Sequence, residues 1–393
     1  MAKITLKPGN INSYRIEARH YGTGKPVSVF IAGDTIAEIR ELSSLPKDRE
    51  NIYVAPGLID NQINGYAGVD FSGDDLSVAG VVKATMAILE SGVTSFLPTL
   101  ITNSHENLVR NFSIMAEACR TNELVGSSIT GFHLEGPYIS PEDGYRGCHQ
   151  SGYIRKPEWP GFMEYQEAAE GRIIQVTTAP EIDGAMEFIR QCSEAGIVIA
   201  IGHSNANSKQ INEAVNNGAR LSTHLGNGCA NMIHRHNNPI WPQLANDRLT
   251  ATIICDGNHL LPEEVKVFHK VKGTDNIILT SDVVYLSGMK PGLYVFAGME
   301  VELRENGMLL NISQNVLAGA SFPLIKGVEN IMEFAGVGLN EAIRMASGNV
   351  AGMYHLSGRG ELKPGNKADI VLISEEGKKL KVKSVYKMGV QVK

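Results

Sequence analysis

Four side chains spread along this chain have the types needed to hold a divalent cation and move a proton: Glu135, His203, His224 and Asp282. A glutamate with two histidines is a three-ligand set for a zinc-type ion that leaves one position open for water. A nearby aspartate can take the proton from that water as it attacks, then return it to a departing amine. The chemistry this predicts is hydrolysis of an amide. Glu135 is the most telling of the four. It ends the β-favouring run "SSITGFHLE" and is followed at once by Gly136 and Pro137, which stop the strand. A carboxylate at the tip of a buried strand is costly unless a cation sits beside it. His133, on the same face two residues back, is either a further ligand or an interior histidine hydrogen-bonded within the fold.

Such residues act together only if the elements carrying them converge. From about residue 57, short β-branched runs alternate with stretches of helical period. The strand candidates are "GLIDNQI", "TSFLPTLI", "SSITGFHLE", "RIIQVTTAPE", "GIVIAIGH", "RLSTHL", "LTATIICDG" and "NIILTSD". Between them lie helical patterns such as "LSVAGVVKATMAILESG", "AMEFIRQCSEAG", "SKQINEAVNNG" and "PEEVKVFHKVKG". Eight strand–helix units over ~250 residues predict an α/β fold, a (β/α)8 TIM-type barrel, whose catalytic groups sit at the C-terminal strand ends. Those ends carry Gln62 and Asn64, Glu135, His203, His224, His259 and Asp282. No G-x-G-x-x-G turn follows the first strand, which argues against a doubly wound dinucleotide fold. Residues 1–55 and 352–393 read as strands and turns that pair into one small β-sandwich domain made from both termini. The barrel then occupies 56–351, with a β-hairpin inserted near 292–312.

The chain has 393 residues, a net charge of −6 and a pI near 6.0, so neither nucleic acid nor an anionic membrane is an expected partner. No apolar run approaches the ~20 residues that span a bilayer. "MAKITLKPGN" lacks the apolar core of a signal peptide. Cys119, Cys148, Cys192, Cys229 and Cys255 are odd in number and form no C-x-x-C pair, which fits a reducing cytoplasm rather than a disulfide framework.

"APGLID", "HLEGP", "GHS", "THL", "DGNH", "LTSD", "LAGAS" and "GELKPGNKADIVLI", in this order, resemble the amidohydrolase superfamily and, more narrowly, the N-acetylglucosamine-6-phosphate deacetylase family. The similarity runs from about residue 55 to 375. It implies a deacetylase releasing acetate from N-acetylglucosamine 6-phosphate. Alternatives are another N-acyl amino sugar such as N-acetylgalactosamine 6-phosphate, or a cyclic amide or nucleobase. Gln62 and Asn64 stand where many amidohydrolases carry an H-x-H that holds a second ion. Carboxamides are poor ligands for zinc-like ions, so one metal is expected on Glu135, His203 and His224, with zinc ahead of iron, manganese or cobalt.

The resemblance also assigns the remaining residues. His149, in "RGCH" beside Cys148, falls where the family places a histidine next to the acyl group. Asn227 and Gly228 match phosphate contacts, Gly228 standing where relatives have alanine. Asp256, Gly257, Asn258 and His259 match a sugar-binding D-G-x-H. Leu317, Ala318 and Gly319 match a substrate-lining segment. Arg235 aligns with an arginine that meets the phosphate from a neighbouring subunit, which implies a homodimer or larger homo-oligomer; it is flanked here by His234 and His236.

Overall fold

The computed structural model describes residues 13–313 and 316–393. Residues 1–12, assigned by sequence to the small sheet domain, lie outside the described residues. Eight strands form one sheet in chain order: β1 (Leu58–Ile63), β2 (Val93–Ile101), β3 (Phe132–Glu135), β4 (Ile173–Thr178), β5 (Val198–Ile201), β6 (Ala219–Ser222), β7 (Thr250–Ile254) and β8 (Ile277–Thr280). Every neighbouring pair is parallel. A parallel bridge between Ile63 and Val283 brings the last strand back to the first, and the Asn64 N–H donates to the Val283 carbonyl at 2.8 Å. A helix follows each strand: Val78–Glu90, His105–Thr121, Trp159–Ala168, Ala185–Glu194, Ser208–Asn216, Ile240–Ala245, Pro262–Lys272 and Leu324–Ala335. This is the (β/α)8 barrel expected from the alternation.

Burial explains why these runs became strands. All nine residues of β2 are buried, as a strand covered on both faces requires. Phe96, Phe112 and Phe132 are fully buried between sheet and helices; truncating one to alanine is worth about 3–5 kcal/mol. Local signals set the helix starts. The Ser77 and Ser104 hydroxyls accept from the N–H of Gly80 and Asn107, and Asn207 forms a capping box with Gln210.

Both chain ends contribute to a second, seven-stranded sheet, in the order Val390–Gln391, Lys379–Lys387, Ile370–Glu376, Ile52–Pro56, Ser13–His20, Pro26–Ala32, Thr35–Glu41. It curls until Thr35 bridges to Lys367, enclosing a core of its own that includes Ile16, Val29, Ile31, Val54 and Leu372. Successive side chains of Ile370–Glu376 face opposite ways. Ile370 and Leu372 join that core, whereas Val371 and Ile373 join the barrel's. The strand Ile52–Pro56 reaches β1 through a single residue, Gly57, so the sheet is anchored at the barrel's entry.

After β8, the segments Gly292–Phe296, Met299–Leu303, Leu309–Asn311 and Val316–Leu317 form a four-stranded antiparallel sheet. Phe296, Val301, Leu303 and Leu309 pack with Ile101, Val284 and Leu286, which sets this sheet over the rim that carries the C-terminal strand ends.

Candidate active site

At that rim the side chains meet. Glu135 Oε1 lies 3.1 Å from His224 Nε2 and 3.4 Å from His203 Nε2, and the two nitrogens are 3.1 Å apart. Ligands of a tetrahedral ion with bonds of 2.0–2.1 Å are separated by about 3.3 Å. The trio therefore already has the spacing of three corners of such a site. His149 is a competing member: its Nε2 is 4.0 Å from Glu135 Oε2, and its ring stands 4.3 Å from that of His203. Glu135, His149 and His203 also form a group compact enough to hold an ion. The edge lengths favour His224 as the third ligand, since 4.0 Å exceeds the tetrahedral edge.

Hydrogen bonds fix the ring tautomers. His203 Nδ1 lies 2.9 Å from the Tyr145 carbonyl, an acceptor, so Nδ1 carries the hydrogen and Nε2 presents a lone pair. His149 Nδ1 accepts from the Thr102 N–H at 3.4 Å, with the Thr102 hydroxyl at 2.7 Å, so its Nε2 carries the hydrogen and can donate. Burial and the neighbouring His203 push His149 down to about 3, which keeps the ring neutral. For Glu135, burial would raise the carboxyl, but the adjacent His203 and His224 rings outweigh it and hold it well below the usual carboxylate range. Burial, then the charge on Glu135, push Asp282 up to about 6, within the range useful to a proton carrier near neutrality.

Backbone conformation marks the same positions. His203, His224 and Asp282 have φ of 50°, 28° and 51°. Non-glycine residues adopt this left-handed region only when the surroundings impose it, and such residues cluster at functional sites. Two glycines serve the same packing. A Cβ on Gly136 would lie 2.2 Å from the Thr102 hydroxyl that holds His149. Gly228, at φ +60°, would bring a Cβ to 3.0 Å from His203 Nδ1 and 3.1 Å from His224 Cε1. The loop after His224 thus folds directly over both histidines.

A cleft of about 920 Å³ is lined by Asn64, Glu135, Cys148, His149, His203, His224, Asn227, Gly228, Asn258, His259, Asp282, Leu317 and Gly319. Phe296 of the four-stranded sheet and Arg304 and Met308, in the connection between two of its strands, line it too. Other expected contacts lie elsewhere. Asp256 directs one oxygen to the N–H groups of Asn258 and His259 and the other to His259 Nδ1 at 2.8 Å, so it orients His259 rather than lining the cleft. Gly257 is not part of the lining. Ala318 is buried in the core of the four-stranded sheet. Arg235, His234 and His236 are exposed and outside the cleft. His133 sits inside the barrel with Thr99 and Thr177 hydroxyls on its two nitrogens. A larger cleft of about 1180 Å³ opens at the opposite barrel end, beside Arg220, Arg248 and Arg344. It holds none of the Glu–His–Asp set, so the chemistry belongs to the smaller one.

The contacts missed by sequence are those of Gln62 and Asn64. Gln62 Nε2 donates to Glu135 Oε1 at 2.8 Å and to Asp282 Oδ1 at 2.9 Å; Asn64 Nδ2 donates to the same Asp282 oxygen at 2.7 Å. Their place at a barrel strand end was the available signal.

Residues 53–392 match the family model described as the amidohydrolase family. The chain is 32% identical, over 82% of its length and 80% of the relative's, to N-acetylglucosamine-6-phosphate deacetylase of Bacillus subtilis (strain 168). It is 30% identical to N-acetylgalactosamine-6-phosphate deacetylase of Escherichia coli O157:H7, covering 87% and 89% of the two chains. Its fold is similar to a crystallised mutant of N-acetyl-D-glucosamine-6-phosphate deacetylase from Mycobacterium smegmatis in complex with N-acetyl-D-glucosamine-6-phosphate, with a TM-score of 0.85, 26% identity and coverage of 97% and 99%.

Proposed function

The chain belongs to the amidohydrolase family and is a hydrolase of carbon–nitrogen bonds, and we propose that it removes the acetyl group from N-acetylglucosamine 6-phosphate, giving glucosamine 6-phosphate and acetate. The observation that carries this reading is the position of Asp282 beside the Glu135–His203–His224 trio in one cleft. The names of the relatives supply the sugar phosphate.

Glu135 Oε1 and the Nε2 atoms of His203 and His224 are the donors that would hold one divalent ion, zinc ahead of the iron, manganese or cobalt that the same donors accept. When bound there, such an ion polarises a carbonyl and makes water acidic enough to attack near neutral pH. Asp282 takes a proton from the attacking water as the carbon–oxygen bond forms. His149, neutral and with hydrogen on Nε2, faces the carbonyl oxygen and stabilises its negative charge. Asp282 then gives its proton to the nitrogen as the carbon–nitrogen bond breaks. Asn258, His259, Leu317 and Gly319 border the sugar, and Asn227 with Gly228 border the phosphate. Arg235 meets the phosphate from a neighbouring copy, which requires at least a homodimer, working in the cytoplasm.

Acetate release from N-acetylglucosamine 6-phosphate, N-acetylgalactosamine 6-phosphate and unphosphorylated N-acetylglucosamine, beside ring opening of hydantoin and dihydroorotate, tests the reading. It expects the first to be turned over best; preference for a cyclic amide would overturn it. The galacto epimer is the second reading, supported by the E. coli relative's name. Arg235→Ala is expected to raise KM for the phosphorylated sugar about 10-fold or more, since charged hydrogen bonds are worth ~1.5–3 kcal/mol; an unchanged KM removes Arg235 from the phosphate site.

A further inference from the structure

Gln62 and Asn64 occupy positions where their carboxamides contribute little to binding a cation, yet both are buried and both point N–H groups at charge. A carboxylate only accepts hydrogen bonds, so the –NH2 end of each amide must face it. Asp282 Oδ1 receives both donors, from Gln62 at 2.9 Å and Asn64 at 2.7 Å. The backbone is pinned to the same strand end, the Asp282 N–H donating to the Gln62 carbonyl at 3.1 Å. Asp282 Oδ2 makes no hydrogen bond among the described residues and is not among the sealed, unpartnered atoms. Since Asp282 lines the cleft, Oδ2 is the oxygen on its open side.

From this geometry we propose that Gln62 and Asn64 are positioning residues that assign the two oxygens of Asp282 different tasks. Oδ1 is the anchor, and Oδ2 is the atom that carries the proton from water to the leaving nitrogen. A proton on Oδ1 would set an O–H against two N–H donors, so that oxygen stays bare. Gln62 does a second job: one –NH2 spans Glu135 and Asp282, holding two carboxylates at a fixed separation without adding a second cation. The proton balance is closed, because Oδ2 gains one hydrogen as the carbon–oxygen bond forms and loses it to nitrogen as the carbon–nitrogen bond breaks. This assignment rests on the deacetylase reading, because it needs a leaving group that must be protonated.

The test uses Asn64→Leu and Gln62→Met, which keep volume and remove the donor, with the isosteric Asn64→Asp should either fail to fold. Steady-state kinetics on N-acetylglucosamine 6-phosphate, bound metal per chain and melting temperature are measured for each folded variant. Misplacing a proton carrier costs about 100-fold in rate. The expected result is a kcat lower by about that factor, with KM within about threefold and metal content unchanged. A kcat within threefold of the parent overturns the assignment. So does a loss of activity that tracks loss of metal, because the carboxamides would then support the ligands and not Asp282. A parent enzyme that holds metal yet releases no acetate contradicts the deacetylase reading instead, and the two failures are thereby separated.

Discussion

In the proposed mechanism Asp282 carries the heaviest load of any single residue, being both the acceptor of one proton and its donor. Asp282→Asn keeps the shape and removes the base; general acid–base catalysis is worth about 10²–10⁴-fold, so kcat should fall within that range while bound metal stays constant. Its pKa of about 6 gives the sign of the pH dependence: ionised above that value, protonated and idle below it. A plot of kcat/KM against pH is accordingly expected to fall on the acid side as Asp282 becomes protonated, and a profile whose acid limb is the same in Asp282→Asn would remove Asp282 from the role. At this scale Glu135, His203, His224 and Asp282 were legible because charge and ligand type stand out at strand ends. Gln62 and Asn64 were not, since an uncharged amide announces nothing until its partner, more than 200 positions away in the case of Asp282, is seen beside it.

The strands were readable because they are buried on both faces and so written almost wholly in apolar and β-branched residues, as in β2 and β8. Short elements were less so. The helix Ile240–Ala245 has six residues, too few turns to show a helical period. The strand Val316–Leu317 pairs with Leu309–Asn311 and extends the inserted hairpin into a four-stranded sheet, a pairing that two residues cannot advertise. Where local chemistry does fix an element, it should be measurable. Asn207→Ala removes a capping box from the helix Ser208–Asn216, and urea unfolding should show a loss of about 1 kcal/mol.

Across the molecule, the curled sheet from both chain ends is held together by chemistry as well as packing. Lys387, fully buried, donates to Asp369 Oδ2 at 2.8 Å, while the Met388 N–H reaches the other oxygen. Burial pushes Lys387 down to about 8, and Asp369 opposes that shift. Removing one member of such a pair leaves the other charge stranded. Asp369→Ala is therefore expected to cost about 3–5 kcal/mol in unfolding free energy, whereas a surface pair such as Lys25 with Glu41 should cost under about 1 kcal/mol. Sequence placed these ends together because neither can bury a face alone. It could not reveal that alternate side chains of Ile370–Glu376 divide between two cores, as that follows from where the sheet docks. We propose the boundary between the units near residues 55 and 352.

The central claim is that one ion rests on Glu135, His203 and His224 with Asp282 beside it. Anomalous diffraction at the zinc edge from crystals grown with zinc tests this most directly. A single peak per chain, about 2.0–2.2 Å from Glu135 Oε1 and both Nε2 atoms, is the expected result. Two peaks per chain, or one peak that binds His149 and leaves His224 free, would contradict the account.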